Sequence, residues 1–442
     1  MNMPRRIFSR ILLPAVLLAA MSLGAKAQTF GSYTPYSLFG VGDMATAGTA
    51  YNKAMGGVGI ASRNNRFLNP LNPAAVTARD SLAFMADYSL YQDNKIFRQG
   101  DARSASNTLN IGDLILSFPI WRSSAMMFGI MPFSNTGYGY SYSITDPSII
   151  GRTGNITYTA SGQGSVYQLF AGAGITFWRR LSVGGQFIYY FGKTDKTFVE
   201  SFENSSYNGA SNGHTLQLRA PAAKVGLQYE QPLGTKASLT LGATYRTMAK
   251  LSGQVENFRY ANGTAATDTL YYRFSSPDAV KFASEKGIGL SLRYADKFMA
   301  ELDYTRSDWR TSGMDTAPGF TGNLTAGAGH SVFTTTLSES WRLGMEYVPN
   351  RNDIRYYWRK ITYRAGAYWK NEYYLLDGAP VNAFGITLGA TLPVFRWYNG
   401  ITFGMDFGQR GSLKDGMVRE RYINFSVGFN LFDIWFQKFS YD

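Results

Sequence analysis

The sequence has no cysteine in 442 residues. A disulfide framework, zinc–thiolate sites and thiol catalysis are excluded together. Histidine is almost as scarce, since only His214 and His330 occur, so a Ser-His or Asp-His hydrolase or a His–carboxylate metal site has little to build on. The chain reads as a non-enzyme with no catalytic residues, no metal and no cofactor. After residue 27 no stretch approaches the ~18 uninterrupted apolar residues of a spanning helix, which excludes helical membrane passage. Dense basic clusters with interleaved aromatics are also missing, so nucleic acid is not an expected partner. "FGKT" (Phe191 to Thr194) looks like the end of a phosphate-binding loop, but Phe187 stands where its first glycine belongs. It reads as strand-end sequence.

What is present points to exported β structure. Arg5, Arg6 and Arg10, the apolar run Ile11 to Leu23 and the small-x-small site Ala25-Lys26-Ala27 read as a signal peptide over residues 1–27. Its removal takes away four basic residues, so 43 minus 30 becomes 39 minus 30 and the net charge falls from +13 to +9. Exposed basic loops and rims fit the phosphates of anionic outer-membrane lipid. The 30 Tyr, 30 Phe, 8 Trp and 47 Gly favour strands over helices.

Those strands are visible as period-two alternation. In Tyr422 to Leu431, Ile423, Phe425, Val427 and Phe429 alternate with Asn424, Ser426, Gly428 and Asn430, as in a wall with one face in lipid and one toward a polar lumen. Counting such segments from Ser81 to Leu431 gives about fourteen, an even number as expected for a bacterial single-chain barrel. Their starts fall near Ser81, Asn107, Ala125, Gly164, Leu181, His214, Ala237, Glu285, Phe298, Leu337, Ile361, Asn382, Gly400 and Tyr422. Tight turns at Trp121–Ser124, Trp178–Arg180, Leu233–Lys236 and Ala295–Lys297 alternate with long polar links at Asp93–Ser106, Ser134–Gln163, Thr194–Gly213, Ser252–Ser284 and Trp309–Thr336. Short periplasmic turns and long outer loops put both chain ends in the periplasm. Trp121, Trp178, Trp341, Trp358, Trp369 and Trp397 resemble interfacial girdles. A soluble propeller or sandwich also alternates, but its strands average nearer about six residues.

Residues 28–80 lack the strand rhythm and precede an expected transmembrane antiparallel β-barrel over 81–432. A barrel of about fourteen strands has an interior wider than side chains fill, so 28–80 is expected to form a plug. Here the residues resemble a family. "AMGGVGIA" (Ala54 to Ala61), "NPLNPAAV" (Asn69 to Val76) and "LAFMADYSLY" (Leu82 to Tyr91) are similar to FadL/TodX-type outer-membrane proteins. The opening "TPYSLFGVGD" (Thr34 to Asp43) resembles the version found in Bacteroidota. The resemblance implies a channel for long-chain fatty acids and other hydrophobic molecules, although some members act as secretion partners. It also implies that Asn72, Pro73 and Ala74 join plug to barrel and that Gly56, Gly57 and Gly59 make plug turns.

Strand parity places Arg246, Arg293, Asp303, Arg342, Glu346, Arg364, Lys370, Asp406 and Arg410 on the lumen side. They would either brace the plug as a salt-bridge network or receive an acid head group. Two functions stay open: passive uptake of hydrophobic or amphipathic cargo, or a non-transporting barrel that acts as a protein partner in secretion or outer-membrane assembly through its outer loops or its tail, Asp433 to Asp442. In the tail, Trp435 and Phe436 read as an interfacial anchor.

Overall fold

The computed structural model describes residues 31–434, except 81, 122, 264–266, 323–331, 395–399 and 415. The expected signal peptide, His330, Trp397, Trp435 and Phe436 lie outside the described residues.

Fourteen antiparallel strands form a closed wall: β1 (Ala83–Gln99), β2 (Ala102–Trp121), β3 (Ser124–Ile144), β4 (Ile156–Phe177), β5 (Leu181–Phe202), β6 (Gly209–Leu233), β7 (Ala237–Arg246), β8 (Glu285–Tyr294), β9 (Phe298–Asp308), β10 (Leu337–Tyr347), β11 (Thr362–Leu376), β12 (Ala379–Pro393), β13 (Gly400–Arg410) and β14 (Arg419–Ile434). Chain neighbours pair, and β1 closes on β14 from Ala83 opposite Ile434 to Arg98 opposite Arg419. The alternation in sequence becomes inside and outside. On β14, Ile423, Phe425, Phe429 and Leu431 are exposed while Asn424, Ser426 and Asn430 are buried. The same outward apolar stripe recurs from Leu114 on β2 through Leu241 on β7 to Phe403 on β13. So continuous an apolar surface is stable only against lipid.

The strands differ in length, and this corrects the expected loops. β7 and β8 have 10 residues each, about enough to cross the bilayer. β4 and β5 have 22 each and β6 has 25. Most of the links expected at Asp93–Ser106, Ser134–Gln163 and Thr194–Gly213 is therefore strand that continues past the membrane. Neither face needs to be apolar there, so the period-two signal fades while the ladder persists. Phe191–Thr194 lies within β5 and His214 within β6, not at strand or loop ends. The expected link Ser252–Ser284 contains a hairpin, Ser252–Asn262 against Thr267–Ser275, whose first strand pairs with the outer part of β6. Asp433 and Ile434 belong to β14, so the wall runs two residues past the expected end. Turn lengths also alternate less strictly than expected. Residues 348–361 form a long link at the short-turn end, carrying the 3-10 turn Tyr357–Arg359, whereas Asp377–Gly378 is a tight turn at the other end.

Residues 31–80 lie inside the ring. They form short pieces: 3-10 turns at Pro35–Leu38 and Pro73–Thr77, a two-residue strand Asp43–Met44 and the helix Ala50–Lys53. Bonds to opposite walls fix this placement. Gly56 N–H donates to Thr387 Oγ1 of β12 at 2.7 Å, Gly59 N–H to Asp303 of β9 at 2.7 Å, and Arg63 Nη1 to Ser182 of β5 at 2.7 Å. Close approach is possible because the facing wall positions are glycines. A Cβ at Gly366 would strike the Met55–Gly56 backbone, one at Gly242 the Ile60 carbonyl, and one at Gly184 the Pro73–Ala74 peptide. A wall without side chains at these points seats backbone directly against backbone.

Candidate functional site

Above this glycine-lined seat the lumen holds a cavity of about 550 Å³. Two kinds of wall enclose it. Met131 and Phe133 of β3, Phe170 of β4 and Ile188 of β5 supply an apolar side, joined by Met44 and Trp309. Phe133 packs against Tyr190 and Phe282, with ring centroids 4.5 and 4.9 Å apart. The remaining circumference is charged: Lys224, Arg246, Glu285, Asp303 and Arg342 from β6 to β10, then Lys370, Glu372, Asp406, Arg410 and Glu420 from β11 to β14.

Most of these charges have partners, as low-dielectric burial requires. Arg410 is bonded to Asp43 of the inner segment and to Glu420, and its Nη2 also reaches Thr34 Oγ1 at 3.0 Å. Lys95 reaches the same Asp43 at 3.3 Å. Burial alone would raise the Asp43 carboxyl, yet the Arg410 guanidinium and the Lys95 ammonium hold it well below the usual carboxylate range. Arg246 donates to Tyr190 Oη at 3.2 Å and pairs with Glu285 at 3.8 Å. Tyr368 Oη donates to Asp406 at 2.9 Å. Lys53 of the inner helix faces Asp113, Asp93 and Asp87 of the wall, and burial lowers its ammonium below the ordinary lysine value.

The structure divides the lumen charges read from strand parity. All seven candidates, Arg246, Arg293, Arg342, Glu346, Arg364, Asp406 and Arg410, are buried or half-buried. Arg246, Arg342, Asp406 and Arg410 line the cavity, while Arg293, Glu346 and Arg364 do not. Arg364 pairs with Glu346 at 3.1 Å and lies over the Tyr51 and Phe67 rings at 4.5 and 4.6 Å. Arg293 Nη2 donates to the Arg63 carbonyl at 3.0 Å, and Arg342 Nη1 to the Gly57 carbonyl at 3.1 Å. Asn72 caps the turn Pro73–Thr77 and donates to the Ile60 carbonyl at 2.7 Å, while Pro73 and Ala74 pack on Gly184 of β5. Gly56 and Gly57 adopt φ of 70° and 78°, which suits residues without Cβ. Parity also placed Asp303 and Lys370 inside. It would equally have found Lys95, Glu285, Glu372 and Glu420. Asp43 and Lys53 carry no such signal, because the inner segment has no period.

The wall beside the apolar side is incomplete. The last pair joining β2 to β3 is Leu114 with Ile130. Beyond it, among the described residues, Ala102–Asp113 pairs only with β1, while β3 from Ser134 to Ile144 pairs with β4. The inner strand Asp43–Met44 covers the open edge of β3 only at Asn135 and Ser134. A register shift between Pro132 and Ser134 marks the site, and proline, having no N–H, suits a ladder that ends. Leu109 and Ile111 are 49% and 60% exposed on the outside and still line the cavity. The cavity therefore reaches the lipid-facing surface through its side.

Among the described residues no group of three or more His, Cys, Asp or Glu has metal-holding geometry. His214 Nδ1 is bonded to Asn257 Oδ1 at 2.5 Å on the outer part of β6. The arrangement suits binding of an amphipathic molecule, with its apolar part against β2–β5 and its polar part toward the charged circumference.

The model of the BamG family matches residues 7–442. No curated protein sequence matches the chain. Among solved structures the fold is similar to the toluene transporter TbuX of Ralstonia pickettii, at 15% identity and a TM-score of 0.57, covering 86% of this chain and 97% of that one. It is also similar to the toluene transporter TodX of Pseudomonas putida, at 14% identity and a TM-score of 0.56, covering 91% and 100%. A FadL homologue of Pseudomonas aeruginosa aligns at 13% identity and a TM-score of 0.53, covering 88% and 98%. At such identities the likeness is one of fold.

Proposed function

The chain belongs to the BamG family, and from that premise we propose that it is an outer-membrane barrel which passes amphipathic or hydrophobic small molecules, such as long-chain fatty acids, from outside into the membrane through its side. The observation that carries this reading is the cavity reaching the wall opening between β2 and β3, with Leu109 and Ile111 on both. The long-loop end faces the exterior, and both chain ends face the periplasm. Cargo enters above the inner segment, rests with its apolar part on Phe133 and Phe170, and leaves past Leu109 and Ile111 into lipid. The gradient of apolar burial suffices as driving force, with no energy source or cofactor. The names of the structural relatives, which include toluene transporters and a FadL homologue, agree with such cargo. The opening Thr34 to Asp43 agrees with an origin in Bacteroidota.

A second reading is a non-transporting barrel that serves a protein partner in outer-membrane assembly. The family name points that way, and so do the densely paired charges around the lumen and the strands that extend beyond the membrane.

One preparation tests both readings: purification in mild detergent with lipid and protein mass spectrometry on the same sample. Uptake predicts a bound fatty acid or similar amphiphile, lost with Phe133→Asp or with Leu109→Arg and Ile111→Arg together. A stoichiometric protein partner with an empty cavity would overturn uptake and leave the second reading.

A further inference from the structure

The hairpin Ser252–Asn262 and Thr267–Ser275 lies above the level at which β6 leaves β7. β6 pairs with β7 from Lys224 to Leu233 and with the hairpin from Gly209 to Arg219. It therefore extends a sheet of β3 to β6 that stands clear of the membrane. Among the described residues Thr267–Ser275 pairs with Ser252–Asn262 alone, so its far side presents a row of backbone N–H and C=O groups without strand partners.

Edge strands in soluble space are normally blunted by lysine, proline, a bulge of their own or a covering loop. This one has no lysine and no proline, its bulge at Leu270 leaves Tyr271–Ser275 in unbroken register, and all nine of its residues are exposed. Tyr272 and Phe274 are 47% and 52% exposed and share one face by alternation, and Leu270, at the bulge, is 58% exposed. That face is braced from behind, where Tyr272 stands opposite Phe258 and its Oη donates to Glu256 at 3.3 Å. The edge is thus sticky in its backbone, apolar on one face and held in shape.

We propose that Thr267–Ser275 is a docking strand that captures an extended segment of another protein by adding it to the sheet. The proposal rests on the partner reading above and gives that partner a surface. Only a polypeptide can continue the ladder, which no lipid or sugar matches. A second copy of this chain does not fit. Antiparallel self-pairing of one edge needs a twofold axis perpendicular to the sheet, and this sheet prolongs a wall that stands across the membrane. That axis would lie near the membrane plane and invert the second copy.

The charges add a pattern. The bulge at Leu270 shifts the alternation by one, so Asp268, opposite Ala261, lies on the same face as Arg273, opposite Asn257, and away from Tyr272 and Phe274. Antiparallel addition continues the all-antiparallel sheet. The incoming strand, read from its N-terminus opposite Phe274, should then be apolar, acidic, apolar, with a basic residue opposite Asp268 beyond the bulge, on the face of its acidic residue.

The test uses the full-length protein in its native cells, with a photo-crosslinking amino acid placed in turn at positions 268 to 274 and, as a control, in the turn Leu233–Lys236. The expected result is cross-links to one protein, with attachment points that move toward the partner's N-terminus as the probe moves toward position 274. Cross-links only to lipopolysaccharide, attachment points that do not advance, or yields no higher than at the control turn would overturn the proposal. Leu270→Lys with Phe274→Lys should lower the cross-link at Tyr272 on the order of tenfold, while the unheated barrel keeps its folded mobility in gel electrophoresis. If a partner co-purifies undiminished with that double variant and no edge cross-link forms, the partner reading stands and the docking strand falls.

Discussion

The inner segment is held by different physics in its two halves. Residues 54–74 rest on glycines of the wall, where Gly366, Gly242 and Gly184 let backbone touch backbone, and hydrogen bonds such as Gly56 N–H to Thr387 and Gly59 N–H to Asp303 lock that contact. Residues 31–47 hang from polar anchors: Arg410 and Lys95 on Asp43, Glu420 on Thr34, and Lys196 Nζ donating to the Leu38, Gly40 and Gly319 carbonyls at 2.8, 3.0 and 2.9 Å. A seat in which packed backbone is also hydrogen-bonded to the wall has no cheap way to open, since a displaced backbone loses packing and bonds all at once. An ion-held strap is different, because its groups can exchange partners for water or for a ligand head group. Both halves border the cavity, and among the described residues it is the strap that covers the open edge of β3. Rigid support and adjustable closure are thus separated within fifty residues of chain.

The largest effect that would break this contrast is expected from Arg410→Met. It strands the buried carboxylates of Asp43 and Glu420, at a cost of about 3–5 kcal/mol. Amide hydrogen exchange over residues 31–47 should accelerate on the order of a hundredfold to a thousandfold, with residues 54–61 unchanged. Acceleration of both halves together would show that they open as one unit. Gly366→Val attacks the other half by driving a side chain into the Met55–Gly56 backbone, for about 1–3 kcal/mol. Exchange should then quicken at residues 54–61 and leave 31–47 protected. The smallest effect is that of mild acid. The Asp43 carboxyl is held below its ordinary value, so its contribution is present above the unfolded pKa and is lost only as pH falls through the lowered folded one. Protease resistance of residues 31–47 should be the same at pH 4 as at pH 7. Cleavage appearing already near the ordinary aspartate value would mean that Asp43 is not so clamped.

The wall was legible in the sequence for a local reason. Whether Phe403 or Thr402 faces lipid depends on residues one and two places away, so the starts of β5, β7, β8, β9, β10 and β13 agree with the alternation to the residue. The inward placement of Arg246, Asp406 and Arg410 follows from the same parity. The outer halves of β3 to β6 escaped notice because water on both faces removes the alternation while the hydrogen-bond ladder carries on. The roles of Asp43 and Lys53 escaped notice because a segment built of short turns has no period to extrapolate.

By itself the sequence determined which face of each alternating strand stretch is apolar, the absence of thiol chemistry and the all-β barrel plan. Only the tertiary structure decided that Gly366 meets Gly56, that Arg410 meets Asp43, and that β2 and β3 part company beyond Leu114 and Ile130. These depend on contacts between residues far apart in the chain, which period-two patterning does not encode. The cavity and its side opening exist only where such contacts are made in one part of the ring and withheld in another.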